Sequence, residues 1–193
     1  AGLPIAGVTA LQALRDHAAV GSGDRVLVNG ASGGVGHLAV QVAKHLGARV
    51  TGVCSADNLE WVTSLGADET IDYREVDFTS VGERWDVIFD VVANRSYRKC
   101  RDALTARGTY LNTLPTPVLF LQRFLLPLVS RRRVFPIVLG MNAERLAAVC
   151  RLVEDGQLAV HVDRVLGLEE AREAQRISEG GHVRGKLVLT PAP

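Results

Sequence analysis

The chain has 193 residues, of which 47% are hydrophobic, and its net charge is +1. This length fits one domain with a substantial core, and the near-neutral charge gives no electrostatic reason to expect nucleic acid or an acidic membrane as a partner. The N-terminus lacks a signal-peptide pattern and the cysteines form no zinc-binding cluster with histidine, so we expect free thiols, buried or half-buried, in a reducing cytoplasm: Cys54, Cys100 and Cys150.

Helices and strands alternate along the first half of the chain. Apolar residues at helical spacing predict a helix over 9–19, and a glycine-rich turn follows it. Short β-branched or apolar runs predict strands at 25–29, 49–54, 68–72 and 85–92. Between them, helices are predicted at 35–47 and from a cap at Ser55 or Asp57 to Gly66.

The same alternation continues to the C-terminus. The remaining helices are predicted at 96–105, 117–130, 142–156 and 168–180. The remaining strands are predicted at 109–113, 133–140, 162–167 and 186–190. Strands that alternate with helices require a parallel sheet covered on both faces. The sequence therefore predicts an α/β fold with a doubly wound, mostly parallel sheet in three α/β/α layers.

The most apolar segment, 117–130, does not have the character of a membrane span. Gln122, Arg123 and Pro127 interrupt it, and it is too short to cross a bilayer. We expect a buried or subunit-facing helix there. The arginines at 131–133 have no interleaved aromatic residues, which favours solvation of a helix end over nucleic-acid binding.

The stretch 26-VLVNGASGGVGHLAV-40 allows two interpretations. Gly30 to Gly34 fits G-x-S-x-G, the turn that displays a nucleophilic serine in hydrolases. That interpretation needs a base histidine, but His37 and His45 lie on the helix that leaves the turn, and His182 qualifies only by default. A nucleophilic serine of this kind normally follows a strand deep in the sheet order, whereas this turn follows the first strand. A serine hydrolase therefore stays the minor alternative.

The second interpretation is a site for a dinucleotide pyrophosphate. A short apolar strand precedes the turn and an amphipathic helix follows it, which is the context that the glycine motif requires. The free N–H groups of Gly34, Val35 and Gly36 open the helix and attract phosphate charge. Gly36 also permits close contact between helix and strand. We favour this interpretation, with Ser32 outside any bond-breaking step.

The end of the second strand governs the choice between NADP(H) and NAD(H). An acidic residue there would bind the ribose 2′-hydroxyl and repel a 2′-phosphate. Ser55 at this place is neutral and can donate to a phosphate. Asp57 argues the other way, or caps the next helix, and no Arg or Lys is close in sequence. We expect NADP(H), with NAD(H) as the less favoured cofactor.

Five segments, taken in order, resemble the medium-chain dehydrogenase/reductase superfamily, and within it the zinc-independent quinone oxidoreductase branch. They are 3-LPIAGVTALQAL-14, 28-VNGASGGVGHLAVQVAKHLGA-48, 65-LGADETIDYR-74, 85-WDVIFDVV-92 and 182-HVRGKLVL-189. The resemblance implies a dinucleotide-binding Rossmann domain with its entry helix at 1–160. It also implies that 161–193 returns to a catalytic domain that precedes this chain in the family and is absent here.

The resemblance implies cofactor contacts at the glycine turn, at strand ends and in the entry helix. By position these residues are Thr9, Ser32, Gly33, Gly34, Val35, Gly36, Ser55, Tyr73, Asn94, Leu111, Thr113 and Leu139. Plain structural roles remain open for some: Thr9 as a helix cap, Tyr73 as a half-buried residue at a strand end, and the leucines as core. Ala6 stands where zinc-dependent relatives carry a cysteine ligand, so we expect no metal.

The expected activity is hydride transfer from NADPH to a quinone or an enone, in the cytoplasm and in a homodimer joined through the sixth strand. No catalytic residue is assigned, since Asp86 and Asp90 are explained as an edge charge and a solvated turn. A non-catalytic dinucleotide-binding sensor or scaffold, and an enoyl-reductase segment of a multidomain synthase, remain alternatives. The isolated chain is expected to bind NADPH with little or no turnover.

Overall fold

The computed structural model describes residues 1–191, and its centre is a six-stranded parallel sheet. The strands are β1 Arg25–Asn29, β2 Arg49–Cys54, β3 Glu69–Asp72, β4 Trp85–Asp90, β5 Leu104–Asn112 and β6 Arg133–Pro136. Their order is β3-β2-β1-β4-β5-β6, and every neighbouring pair is parallel. The predicted doubly wound α/β fold is confirmed.

Helices cover both faces of this sheet. They are α1 Pro4–Leu11, continued by a π-helical segment Gln12–Ala18, α2 Gly36–His45, α3 Leu59–Ser64, α4 Tyr97–Cys100, α5 Pro117–Leu125 and α6 Ala143–Glu154. Side chains alternate across the sheet, so Val26 and Val28 join one core cluster with α1, α2 and α6, while Leu27 joins the other with α4. This alternation produces the three layers.

The last segment forms a second, smaller sheet, hereafter the tail. It consists of β7 Val162–Gly167, helix α7 Ala171–Glu179 and β8 Lys186–Thr190, with β7 and β8 parallel. The tail contacts the glycine turn through a hydrogen bond from Gly185 N–H to the Ser32 carbonyl, 3.0 Å. That the tail returns to a catalytic domain stays a prediction.

Two predicted boundaries near the N-terminus and at β5 were wrong. The first helix begins at Pro4 rather than at residue 9, because proline at the first helical position is already set to a helical φ. The fifth strand begins at Leu104, and the helix before it ends at Cys100 with a short 3₁₀ turn to Ala103. Buried Leu104 pairs with Trp85 of β4, which draws the chain into the sheet early.

The predicted strand 133–140 is also too long, since β6 ends at Pro136. Ile137 N–H still donates to the Asn112 carbonyl of β5 at 2.8 Å, but the backbone at Val138 and Gly140 is bound by a side chain. Gln12 donates from Nε2 to the Val138 carbonyl at 2.9 Å, and its Oε1 accepts from Gly140 N–H at 2.9 Å. These bonds satisfy the backbone groups that a longer strand would have paired.

The apolar segment at 117–130 is not buried, contrary to the prediction. Leu119 of α5 is buried, and Leu126 just after α5 is partly buried against the same core cluster. One face of α5 and of the turn after it is exposed, and we call it the α5 apolar face: Val118, Leu121, Phe124, Leu125, Leu128 and Val129. The alternative half of the prediction, a subunit-facing helix, remains open.

The cysteines behave as the sequence predicted. Cys54 and Cys100 are buried, Cys150 is half-buried, and all three are free thiols. Burial raises the pKa of Cys54 to about 11 and that of Cys100 to about 12. Among residues 1–191, no helix is long and apolar enough to span a bilayer.

Candidate functional site

The glycine turn lies at the point where the strand order of the sheet reverses. β1 pairs with β2 on one side and with β4 on the other, and the chain leaves β1 at Asn29 to enter the turn. Crevices at the carboxyl ends of such strands are the usual ligand sites of open α/β sheets. The turn therefore occupies the place where a dinucleotide binds in this fold class.

The turn presents unpaired backbone donors. Within residues 1–191, the N–H groups of Gly34, Val35 and Gly36 have no acceptor. Gly36, the first residue of α2, rests directly on the turn, since a Cβ at this position would lie 1.9 Å from the Gly30 carbonyl oxygen. Only glycine fits there, and the close packing sets the start of α2, with its free amides, directly on the turn.

A lysine from the tail lies against these amides. A Cβ added at Gly34 would meet Lys186 Nζ at 2.8 Å. Within the described residues the Lys186 ammonium has no carboxylate partner, and partial burial lowers its pKa. Lys186 lies in a segment that carries the family resemblance, but its place beside the turn is not predictable from the sequence, because more than 150 residues of chain separate the two.

A cleft of about 470 Å³ separates the turn from the tail. Gly33, Gly34 and Lys186 line its polar side, and Leu187 and Leu189 line its apolar side. This volume is within the range of ligand-binding pockets. The cleft therefore combines unpaired donors, a cation and apolar surface at the switch point of the sheet.

The position of His37 argues against a serine nucleophile. The ring is fully buried; Nε2 accepts from His161 N–H at 3.3 Å, so Nδ1 carries the hydrogen and donates to the Gly33 carbonyl at 2.9 Å. Burial lowers the pKa of His37, which favours this neutral form. Both ring nitrogens are engaged, and neither is available to Ser32 as a base.

The residues predicted to contact the 2′-hydroxyl or 2′-phosphate of the cofactor ribose lie at the end of β2. Ser55 is 6% exposed, and Asp57 is exposed in a 3₁₀ turn over Ala56–Asn58. Asp57 lies inside this turn and does not cap it, and no side-chain hydrogen bond caps the turn at its start. Tyr73 is 51% exposed beside them, with its N–H bonded to the Cys54 carbonyl at 3.1 Å.

Asp90 at the end of β4 is fully buried, so its interpretation as part of a solvated turn was wrong. Its Oδ1 accepts from Asn29 Nδ2 at 2.8 Å and from Ala93 N–H at 2.9 Å. Its Oδ2 accepts from Arg95 N–H at 3.0 Å and lies 3.1 Å from the Tyr110 hydroxyl. This carboxylate fixes the loop that carries Asn94.

Asn94 and Thr113 lie near each other at the ends of β4 and β5. Asn94 is exposed, and its Oδ1 accepts from Asn29 Nδ2 at 3.0 Å. Thr113 Oγ1 donates to the Val91 carbonyl at 2.9 Å. Both therefore border the same edge of the sheet as the glycine turn.

The other residues suggested by the resemblance differ in accessibility. Leu111 is fully buried, so its side chain belongs to the core, whereas Leu139 is 38% exposed. Thr9 lies inside α1 rather than at its cap, and its hydroxyl donates to the Ile5 carbonyl at 2.7 Å. Cofactor contact by these three side chains stays a prediction.

The sheet order and the glycine turn at its switch point define a Rossmann-type α/β domain. Sequence comparison then gives the family. The profile of the zinc-binding dehydrogenase family matches residues 65–189, and the chain belongs to this family within the medium-chain dehydrogenase/reductase superfamily, on its quinone oxidoreductase-like side. The predicted resemblance is confirmed.

Individual relatives agree with this assignment. A chloroplast envelope quinone oxidoreductase homolog of Arabidopsis thaliana is 34% identical over 99% of this chain and 61% of its own length. A trans-enoyl reductase of Penicillium oxalicum is 31% identical over 97% of this chain and 55% of its own. The quinone oxidoreductase structure from Coxiella burnetii superposes with a TM-score of 0.87 at 36% identity, covering 98% of this chain and 59% of that one. The chain thus spans about three fifths of the length of the first of these relatives.

The family name refers to zinc, but the described residues offer no site for it. Within residues 1–191, no group of three or more His, Cys, Asp and Glu side chains could hold a metal ion. Ala6, at the position of a cysteine ligand in zinc-dependent relatives, is buried in α1. That the protein works without metal stays a prediction.

Proposed function

We propose that this chain is the NADP(H)-binding part of an oxidoreductase that transfers hydride to a quinone or an enone. The observation that carries the proposal is the set of free amides at Gly34, Val35 and Gly36 beside the unpaired ammonium of Lys186. Backbone donors at a helix N-terminus and an adjacent cation together favour a diphosphate.

The residues present fit a nicotinamide dinucleotide. Gly34 and Lys186 line the same cleft, with Lys186 Nζ 2.8 Å from the place that a Cβ on Gly34 would take, and Ser55 follows β2 at the same edge of the sheet. When bound, the nicotinamide supplies the hydride. The chain's own residues hold the pyrophosphate and orient the dinucleotide, and Leu187 and Leu189 add apolar surface to the cleft.

The printed names of the relatives support the substrate class. They include quinone oxidoreductases, a 2-haloacrylate reductase and a trans-enoyl reductase, and the latter two act on activated double bonds by name. We therefore keep both quinone and enone as proposed acceptors. Cytoplasmic location stays a prediction, since relatives are named as chloroplastic or mitochondrial.

Calorimetric titration with NADPH and NADH in parallel tests the cofactor proposal. Lys186→Gln is expected to weaken both dinucleotides about tenfold or more, because the pyrophosphate is common to both and a charge-assisted contact contributes about 1.5–3 kcal/mol. Lys99→Gln on α4 makes the same charge change away from the turn and should leave both affinities unchanged. Failure of both dinucleotides to bind the unmodified chain at millimolar concentration would refute the proposal.

We also propose a homodimer that uses the β6 edge. β6 is the outer strand of the sheet, and α5, with its exposed apolar face, packs beside it. Sedimentation velocity should show a dimer, and Phe124→Glu should give monomers because a charge would be buried against a partner. Val165→Glu on the exposed surface of β7 is the matched control. A monomer before any substitution would contradict this proposal.

A further inference from the structure

The tail places an arginine at the strand end that faces the cofactor ribose in the proposed function. Arg184 Nε donates to Asn58 Oδ1 at 2.5 Å, and Arg184 Nη2 donates to the Asp57 carbonyl at 2.6 Å. The sequence offered no Arg or Lys near Ser55, but the fold brings Arg184 to Asn58, which lies 126 residues away in the chain. Arg184 forms no ion pair within residues 1–191, so its charge is uncompensated there.

The arginine fixes the direction of a short hydrogen-bond chain. A guanidinium can only donate, so Asn58 must present its Oδ1 to Arg184. Asn58 Nδ2 then faces Ser55 and donates to its Oγ at 2.9 Å. Since Ser55 Oγ accepts this bond, its own O–H remains to donate elsewhere. The chain Arg184–Asn58–Ser55 therefore ends in a donor.

Arg184 keeps donors of its own. A guanidinium has five N–H groups, and the contacts to Asn58 and the Asp57 carbonyl use one on Nε and one on Nη2. The remaining N–H groups, on Nη1 and Nη2, have no acceptor within the described residues.

We infer that Arg184, directly and through Asn58, makes the end of β2 a donor site that selects the 2′-phosphate of NADPH over the 2′-hydroxyl of NADH. The inference rests on the proposed dinucleotide function and adds the residue that determines specificity. A phosphate accepts hydrogen bonds at every oxygen and carries negative charge, so it matches such a site. The Asp57 carboxylate opposes this charge, and Arg184 is bound to the backbone of the same residue.

The test measures the ratio of the dissociation constants for NADH and NADPH by calorimetry. The unmodified chain should bind NADPH about tenfold tighter or more, as expected when charge-assisted bonds to a phosphate are added. Arg184→Gln should bring the ratio close to one by weakening NADPH alone, and Arg184→Lys should restore part of it. Arg172→Gln on α7 makes the same charge change without these contacts and should leave the ratio unchanged.

Asn58→Asp tests the hydrogen-bond chain while keeping the tail docked. The new carboxylate still accepts from Arg184, but it also accepts from Ser55 and turns that hydroxyl away from the ligand. The NADPH preference should fall although Arg184 is present. Hydrogen exchange at Gly185 N–H, which donates to Ser32, reports whether the tail stays in place in each variant.

The outcomes separate this inference from the proposed function. If neither dinucleotide binds, the proposed function itself fails. If both bind but Arg184→Gln and Asn58→Asp leave the ratio unchanged, only the inference about Arg184 is overturned. If the unmodified chain prefers NADH, the inference and the proposed preference for NADP(H) are both overturned, whereas dinucleotide binding stands. Loss of preference in both variants with Gly185 still protected supports it.

Discussion

Replacing Gly36 with alanine is expected to abolish tight dinucleotide binding. The added Cβ would lie 1.9 Å from the Gly30 carbonyl oxygen and 2.9 Å from the Ala31 Cα, both of which are backbone atoms that cannot rotate away. The start of α2 must therefore move outward, and the free amides move with it. Each lost contact between an amide and a phosphate should weaken binding about tenfold or more, which calorimetry with NADPH measures.

The same substitution should also destabilise the fold. Forcing an extra carbon into a closely packed turn costs about 1–3 kcal/mol, so the free energy of unfolding in urea should fall by this amount. Gly21→Ala is the control, since its Cβ would meet nothing nearer than Asp24 Oδ2 at 3.9 Å. Unchanged NADPH affinity in folded Gly36→Ala would show that these amides do not hold the cofactor.

The two halves of the candidate site differ in how far the sequence predicts them. Gly36 and its neighbouring amides follow from local order, because a strand, a glycine turn and a helix occur consecutively and each has its own pattern. Lys186 and Arg184 do not, because their contacts with Gly34 and Asn58 depend on how the tail folds back. No period or motif in the chain encodes that return.

The errors in the predicted elements have a related cause. Strand and helix cores were identified correctly, since burial on both faces gives β1 a continuous apolar run and burial on one face gives α2 its helical spacing. The predicted end of β6 was wrong because a distant side chain takes up the backbone hydrogen bonds there, as Gln12 does at Val138 and Gly140. The predicted burial of 117–130 was wrong because the apolar character of a helix does not distinguish a helix that faces the core from one that a partner covers.

Replacing Asp90 with asparagine is expected to lower the free energy of unfolding substantially. No motif in the sequence indicates this role for Asp90. Both of its oxygens face donors: Asn29 Nδ2 and Ala93 N–H at Oδ1, and Arg95 N–H at Oδ2. In Asp90→Asn, whichever way the amide is turned, an NH₂ group meets at least one buried N–H. We expect the free energy of unfolding to fall by about 2–4 kcal/mol, because a buried donor left without its charged acceptor costs about 1–3 kcal/mol or more.

Asp86 at the opposite end of the same strand provides the matched control. Its carboxylate accepts from Arg25 N–H at 3.0 Å and from Thr105 Oγ1 at 3.1 Å, and it is only half-buried. Water can replace a lost acceptor there, so Asp86→Asn should cost about 1 kcal/mol or less. Urea unfolding of both variants measures the difference. Equal losses of unfolding free energy would contradict the prediction that the buried hydrogen bonds of Asp90 contribute more than those of Asp86. A larger loss for Asp90→Asn, together with weaker NADPH binding, would show that this carboxylate maintains the structure of the Asn94 loop.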